Sequence, residues 1–199
     1  MEPLNSFSPI IWKGHFPGDL SAVRDRAYHL LHTSQHLNSF LTTDGGVSSV
    51  EDTDGPHMWP ESVELIDWLT RNAVETLKAW NFFHTNTYID GSWVNLHPPG
   101  AWTKEHSHGN SAISVAVYLD QPENGGNLEV QDPLFYHWSG YPKENELWKE
   151  VEVKPGDVLM FPGWLVHRTQ RNLSQSNRVV MSMNVLSFAE DCFIVPKII

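Results

Sequence analysis

The pattern of hydrophobic and polar positions divides the chain into a helical first part and a strand-rich second part. Residues 60–80 carry apolar side chains at near-helical spacing, and Pro60 suits a first helical turn, so this segment predicts a helix. A second helix is predicted over 19–35, after a strand-like stretch at 7–16. The segment 42–57 is rich in Gly, Ser and Asp, which predicts an exposed loop.

After residue 84 the pattern changes to short β-branched and aromatic runs separated by Gly, Pro and Asn. Eight strands are predicted, at 85–97, 101–106, 111–120, 126–131, 150–154, 156–162, 164–170 and 178–188. Strands without intervening helices favour a sandwich or barrel, so we expect a mainly β jelly roll with flanking helices. We expect one domain over 1–199: a helix-containing part (1–85), a jelly-roll core (86–188) and a C-terminal tail (189–199).

Composition narrows the class of protein. The chain has 199 residues, a formal net charge of −11 and a single cysteine, Cys192. One cysteine excludes an internal disulfide, and the excess of acidic residues makes nucleic acid an unexpected partner. No apolar run approaches the ~20 residues of a membrane helix, and the N-terminus lacks the pattern of a signal peptide. These features predict a cytoplasmic protein with no membrane partner; the oligomeric state cannot be inferred.

Two histidines one residue apart are the first candidates for chemistry. His106 and His108 precede a strand-like run; if they leave a strand, their side chains point to the same side and can bind one ion. His167 lies inside a later strand-like stretch, which a jelly roll could bring to the same mouth. Three neutral imidazoles bind a divalent transition metal and leave coordination positions open. The alternative is that His106 and His108 only flank a turn.

Arg178 is the second candidate, eleven residues after His167, at the entrance of an apolar strand. A guanidinium in apolar surroundings needs an anionic partner, and its fork fits a carboxylate. An internal salt bridge would meet this need, but beside three histidines the arginine has a more specific use. It could hold the remote carboxylate of an iron-chelating oxo acid.

These residues lie in stretches that resemble the Fe(II)/2-oxoglutarate-dependent oxygenase superfamily. The resemblance is closest to the "putative 2OG-Fe(II) oxygenase" family of small bacterial and phage proteins. It is carried by WVNLHPPGAWTKEHSHGNSAISVAVYL, GGNLEVQDP, PGDVLMFPGWLVHRTQRN and RVVMSMN, which span residues 93–184 in the expected order. The resemblance implies a double-stranded β-helix, which is a cupin-like jelly roll, with Fe(II) and 2-oxoglutarate as cofactors.

The resemblance also implies roles for individual residues. His106 and His167 match the first and the distal histidine ligand, and Arg178 matches the basic residue that pairs with the 2-oxoglutarate C5 carboxylate. Asn95 and Tyr118 occupy strand positions where the superfamily often places side chains that contact 2-oxoglutarate. The departure is His108, which stands where a carboxylate is usual and implies an all-histidine site. Asp132 could supply a carboxylate or orient a ligand, or it could only form a turn before Pro133.

The activity this implies is oxidation of an unknown prime substrate by dioxygen, most simply a hydroxylation, coupled to oxidative decarboxylation of 2-oxoglutarate. Two alternatives stay open: a three-histidine cupin-like iron dioxygenase that needs no 2-oxoglutarate, and a non-catalytic jelly-roll module that binds metal. The segments 42–57 and 134–148 are expected to shape specificity. A set of aromatic residues are candidates for pocket walls, although core packing is the expected role for most of them: Trp93, Trp102, Phe135, Tyr136 and Trp138.

Overall fold

The computed structural model of the chain describes residues 11–81, 86–134 and 147–188. Within these ranges, two α-helices and nine strands make up most of the regular structure. The helices are α1 (Ser21–Thr33) and α2 (Val63–Ala79). The strands are β1 (Trp12–His15), β2 (Val47–Ser48), β3 (Asn86–His97), β4 (Ile113–Asp120), β5 (Leu128–Gln131), β6 (Trp148–Val151), β7 (Asp157–Pro162), β8 (His167–Thr169) and β9 (Arg178–Phe188).

The strands form two antiparallel sheets. The larger has the order β1-β7-β4-β9-β3-β2, and the smaller has the order β6-β5-β8. After β4 the chain enters the smaller sheet for β5 and β6, returns to the larger sheet for β7, and crosses again for β8 and for β9, which is the connectivity of a jelly roll. The predicted mainly β, double-stranded β-helix architecture is confirmed.

The centre of the larger sheet is covered on both faces, which explains why β4, β7 and the first part of β9 are almost continuously buried and apolar. On β4, Val115 and Val117 point to a core shared with α1 and α2, whereas Ala116 and Tyr118 point to the smaller sheet. The helices supply Val23, Ala27, Leu30, Leu31, Leu65, Leu69, Ala73 and Leu77 to the first core. The second face lies between the sheets, and a cavity opens there.

Both predicted helices form, with shorter bounds than the pattern indicated. At α1 the Asp19 carboxylate accepts the N–H of Ser21 at 2.9 Å, so the helix begins at Ser21. Before α2, prolines start two short 3₁₀ turns, Pro56–Met58 and Pro60–Ser62, and α2 begins only at Val63. No helix within the described ranges is long and apolar enough to cross a membrane.

The prediction of a strand over 101–106 is wrong. This stretch makes only isolated bridges, Thr42 with Thr103 and His106 with His167. Its backbone hydrogen bonds go to two distant segments, since Lys104 N–H donates to Leu41 O at 2.8 Å and His106 N–H to His167 O at 3.0 Å. Tertiary pairing therefore holds the histidines in place where the sequence suggested a regular strand.

Candidate active site

Three imidazoles converge at the mouth between the two sheets. His106, His108 and His167 each offer a nitrogen, and these three atoms lie within 4.8 Å of one another. Ring centroids of His106 and His167 are 4.3 Å apart, and that of His108 lies 5.0 Å from the first and 5.3 Å from the second. A group of three nitrogens at this spacing could hold one transition-metal ion. It is the one such group of histidine, cysteine or carboxylate side chains within the part of the chain that the structure describes.

Backbone carbonyls fix the tautomers of two of the rings. The Nδ1 atom of His106 lies 2.8 Å from Lys104 O, and that of His167 lies 2.9 Å from Leu165 O. A carbonyl oxygen only accepts, so each Nδ1 carries the proton and donates it. Each Nε2 then has a free lone pair, and this second bond also fixes the orientation of the ring.

Burial keeps the cluster neutral. Burial, and then the neighbouring charge of His106, lower the pKa of His108 to about 4. Burial first, and then the charges of His106 and His108, lower the pKa of His167 to about 3. Burial also lowers the pKa of His106, against the opposite effect of its bond to the Lys104 carbonyl. Neutral imidazole is the form that binds a metal ion.

A glycine permits the close packing that positions His108. The N–H of His108 donates to Gly163 O at 2.7 Å, across the turn between β7 and β8. A Cβ at Gly163 would lie 2.1 Å from Ser111 O and 2.7 Å from His108 O, which no side chain could tolerate. The 108–111 turn therefore packs against the backbone that leads to His167. This contact fixes the position of His108 relative to His167.

Arg178 lies behind the other end of the same space, in contact with Thr169, and its side chain is fully buried. Its Nη1 donates to the carbonyl oxygens of Gly125 (2.7 Å), Gly126 (2.9 Å) and Gln170 (3.1 Å), and its Nη2 donates to Thr169 Oγ1 at 2.8 Å. Its Nε has no partner. Among the described residues no carboxylate pairs with this guanidinium, so the alternative of an internal salt bridge is not observed there. Burial lowers the pKa of Arg178 to about 10, so the group is charged at neutral pH.

Tyr118 brings a second unpaired polar atom to this end. Its side chain is buried and its hydroxyl has no hydrogen-bond partner. Burial raises the pKa of Tyr118, an effect that the nearby Arg178 charge opposes. An uncompensated guanidinium beside a free phenol suits a carboxylate, because such a group would accept from both. This donor set is the kind that the remote carboxylate of 2-oxoglutarate would need.

A cavity of about 470 Å³ connects the two ends. It is lined by the three imidazoles, by Tyr118 and by Thr169, which touches Arg178. Asn95 also lines it and donates its side-chain N–H to Ser182 Oγ at 3.0 Å. Arg178 does not line the cavity itself and lies behind Thr169.

His97 is a cavity residue that the sequence reasoning missed. It is buried in the cavity lining with its Nε2 2.6 Å from Thr103 Oγ1 and its Nδ1 without a partner. Burial, and then the charge of Arg178, lower the pKa of His97 well below its usual value. Its i, i+2, i+4 spacing with Trp93 and Asn95 on β3 was the available signal, because alternate residues share one face of a strand.

Residues 91–184 match the family model described as "Putative 2OG-Fe(II) oxygenase". On this match, which covers just under half of its length, the chain is assigned to the 2OG-Fe(II) oxygenase superfamily. It is therefore a 2-oxoglutarate-dependent oxygenase whose cofactors are Fe(II) and 2-oxoglutarate, and dioxygen and a prime substrate are its reactants. No curated protein sequence matches the chain.

Solved structures share the fold of this oxygenase. A prolyl-4-hydroxylase from Pseudomonas putida matches with a TM-score of 0.62 at 14% identity, over 89% of this chain and 92% of that one. EctD from S. alaskensis with bound Fe gives 0.60 at 17% identity, over 89% and 72%. The viral collagen prolyl hydroxylase from Paramecium Bursaria Chlorella virus-1, in its 2OG complex, gives 0.54 at 14% identity, over 89% and 96%.

The other residues predicted for the site of this oxygenase differ in whether they line the cavity. Trp93 lines the cavity, with its ring centroid 5.6 Å from that of His108, whereas Trp102 does not line it. Asp132 accepts the N–H of Leu134 at 2.9 Å, as a turn-forming residue does, and is not in the histidine cluster. The other three predicted wall residues, Phe135, Tyr136 and Trp138, and most of the predicted specificity segment 134–148 lie outside the described residues.

Proposed function

We propose that this oxygenase holds Fe(II) on His106, His108 and His167, and hydroxylates its prime substrate. The observation that carries the proposal is the set of three convergent neutral imidazoles, two of which have the Nδ1 proton donated to a carbonyl and the Nε2 lone pair free. Three ligands leave positions open for cosubstrate and dioxygen, and the non-catalytic alternative would instead favour a fourth, closing ligand.

Arg178 and Tyr118 hold the C5 carboxylate of 2-oxoglutarate in this proposal, and Asn95 lies along the cavity wall between them and the metal. Support comes from the buried Arg178 Nε and Tyr118 Oη, which have no partner in the structure. A buried polar atom without a hydrogen bond costs ~1–3 kcal/mol, and a bound carboxylate would remove that cost. His97, with its own unpaired Nδ1, lies next to the same group, since it is paired with Arg178 across β3 and β9.

The bound Fe(II), with 2-oxoglutarate and dioxygen, supplies the oxidising chemistry, in which 2-oxoglutarate becomes succinate and CO₂ and one oxygen atom is inserted into a substrate C–H bond. The chain's own residues orient the reactants and exclude water. The sheets enclose the cavity, Phe161 packs its ring 4.8 Å from that of His167, and Trp93 packs against His108. We assign this chemistry to the core 86–188, with 1–85 as its support, and its cytoplasmic location stays a prediction.

A second candidate function is a three-histidine iron dioxygenase that does not use 2-oxoglutarate. His108 favours it, because an imidazole replaces the carboxylate and the site then carries one negative charge less. In that case Arg178 would bind a carboxylate of the substrate itself. The two candidates differ in whether 2-oxoglutarate is consumed.

The test is formation of succinate by the reconstituted enzyme. The protein is loaded anaerobically with Fe(II), then given 2-oxoglutarate and air, and succinate is quantified by chromatography. Slow succinate formation without a prime substrate is expected, and it should depend on both iron and 2-oxoglutarate. A Zn(II)-loaded sample is the control, because zinc has no redox chemistry. Iron-loaded protein that forms no more succinate than this control would contradict the proposal.

A further inference from the structure

The cavity has a polar end that neither the metal nor 2-oxoglutarate explains. Strands β3, β9 and β4 send alternate residues into it, and their pairing places these residues in rows. Trp93 lies opposite Ser182 in the row that contacts His108. The next row, on the side away from Arg178, consists of Gly91, Asn184 and Ser114.

Distance excludes 2-oxoglutarate from this row when its C5 carboxylate is on Arg178. Asn184 is six residues beyond Arg178 on β9, a backbone separation of about 20 Å. The five-carbon chain of 2-oxoglutarate has four carbon–carbon bonds and spans only about 5 Å. Since Trp93 and His108 lie between the two ends, the row of Asn184 is on the substrate side of the imidazoles.

This row contains two polar atoms without partners and an open space. Ser114 is 3% exposed and its Oγ has no hydrogen bond. Asn184 is half-buried and its Oδ1 is buried without a partner. A Cβ added at Gly91 would meet no atom within 4 Å, so no side chain fills the third position of the row. A ligand that donates hydrogen bonds would fit between them, because an amide oxygen only accepts and a hydroxyl can accept.

Charge favours a cationic donor. Glu51 also lines the cavity, from the turn that follows β2, in which Asp52 N–H donates to Ser49 O. It is exposed and makes no ion pair with the residues described. No Lys or Arg is among the described residues that line the cavity. Among the described side chains that line the cavity, a cation at the mouth would therefore meet one carboxylate and no ammonium or guanidinium group.

We infer that the prime substrate presents an amine or guanidine group to Asn184, Ser114 and Glu51, beside the imidazoles. The inference rests on the proposed function and names the substrate class of the same site. The nitrogen donates to Asn184 Oδ1 and Ser114 Oγ, its charge is paired with the Glu51 carboxylate, and a neighbouring carbon lies next to the metal position. The group could belong to a free basic amino acid or to a lysine or arginine residue of a peptide.

Probes of matched size and different charge test this inference. L-lysine, L-arginine and agmatine represent the free cation, and a blocked tripeptide Gly-Lys-Gly represents the peptide. Norleucine and L-glutamate are the apolar and acidic controls. Binding to the Fe(II)- and 2-oxoglutarate-loaded enzyme is measured anaerobically by calorimetry and by the change in its visible absorption, and succinate formation is measured in air.

Three variants identify the binding end. Glu51→Gln and Asn184→Leu should each weaken the best cationic probe at least tenfold, about 1.4 kcal/mol, with 2-oxoglutarate affinity unchanged. Asn184→Asp should increase the affinity for the same cationic probe, because a second carboxylate is added. Glu105→Gln is the matched control: Glu105 is an exposed carboxylate beside His106 that does not line the cavity, so its removal should change nothing.

The outcomes separate this inference from the proposed function. Binding and succinate stimulation by at least one cationic probe and by neither control would support it, and the peptide or the free amino acids would identify the source. If 2-oxoglutarate binds but the cations have no effect, or norleucine acts equally well, the inference is overturned and the proposed function stands. If 2-oxoglutarate does not bind at all, both are overturned.

Discussion

At the scale of single residues, the site depends on buried polar side chains that lack a full set of hydrogen-bond or charge partners within the protein. The three imidazoles share a pocket in which burial keeps them neutral, and the guanidinium of Arg178 donates only to neutral oxygens. A folded protein rarely leaves such groups buried and incompletely paired unless a ligand completes them. We therefore assign ligand binding to the residues whose buried polar groups are incompletely paired in the structure.

Removing one imidazole tests the metal role. His106→Ala and His167→Ala should each lower Fe(II) affinity more than about 100-fold, since even changes to groups that orient a ligand cost 10–100-fold. Metal binding is measured anaerobically by calorimetry, and the fold by circular dichroism, which should be unchanged. His32→Ala, at an exposed position of α1, is the control. Unchanged iron affinity in both cavity variants would refute this ligand assignment.

Tyr118→Phe should have opposite effects on stability and on binding. Without ligand the hydroxyl is buried and unpaired, so its removal should raise the free energy of unfolding by about 1 kcal/mol. With ligand, a hydrogen bond to a carboxylate is lost, which should weaken 2-oxoglutarate about tenfold. Urea unfolding and calorimetry measure the two effects. A variant that is less stable and binds 2-oxoglutarate normally would place the hydroxyl in a structural role.

At the scale of elements, backbone turns decide where the polar groups are held. Gly126, at a φ of +81°, lies so close to Arg178 that a Cβ would be 2.9 Å from Nη1 and 2.7 Å from Gln170 O. Only glycine combines this conformation with this proximity. The turn between β4 and β5 thereby presents two carbonyl oxygens to the guanidinium.

Gly126→Ala should destabilise the fold and weaken 2-oxoglutarate together. The strained φ alone costs ~1–2 kcal/mol, and the clash displaces Arg178 as well. Gly100→Ala is the matched control, because Gly100 has a φ of +91° with no atom within 4 Å of the added Cβ. The control should lose stability in urea unfolding but keep its 2-oxoglutarate affinity. Equal losses of affinity in both variants would show that backbone strain, and not the position of Arg178, is responsible.

The sequence predicted the elements better than the loops between them. Periodicity is a local signal, so α2 and the apolar strands β4 and β9 were identified to within a few residues. The segment 101–106 has strand-like composition, yet its partners are Leu41 and His167, which no local pattern reveals. His106 and His108 nevertheless lie close to His167, because the backbone bridge between His106 and His167 fixes their position in place of the expected regular strand.

Part of the site could also be predicted, because some of its residues form a local sequence pattern. His106, His108, His167 and Arg178 have recognisable types and spacing, and the structure brings the three histidines together. His97 and Ser114 carry no such pattern, because one histidine among eleven and one serine in a strand are unremarkable in a sequence. Their significance depends on unpaired atoms in residues that line a shared cavity, which only the tertiary structure shows.

At the scale of the whole molecule, the cavity lies between two sheets, and its proposed ligands come from both. His167 is on the smaller sheet and Arg178 on the larger, so a bound metal and oxo acid would connect the two. The unfolded chain has no such site. Ligand binding should therefore stabilise the entire fold.

Thermal unfolding measures this linkage. At ligand concentrations about 100 times Kd, stabilisation is ~2.7 kcal/mol, which for a chain of this size raises Tm by about 5–10 °C. Zn(II), which is redox-inert, is used so that no turnover occurs. Metal with 2-oxoglutarate should raise Tm further than metal alone, and 2-oxoglutarate without metal should have little effect. A Tm that 2-oxoglutarate never changes would contradict joint binding in this cavity.

The central claim is that the three histidines and Arg178 together hold Fe(II) and 2-oxoglutarate. An anaerobic titration of the Fe(II)-loaded protein with 2-oxoglutarate tests it most directly, through the weak visible charge-transfer band of a chelated oxo acid. We expect the band to appear in the native protein and in Arg171→Lys, an exposed arginine paired with Asp44. In Arg178→Lys it should require at least tenfold more 2-oxoglutarate, because an ammonium cannot replace the buried fork. Iron that binds without the band would favour the three-histidine dioxygenase, and a protein that binds no iron would contradict the account.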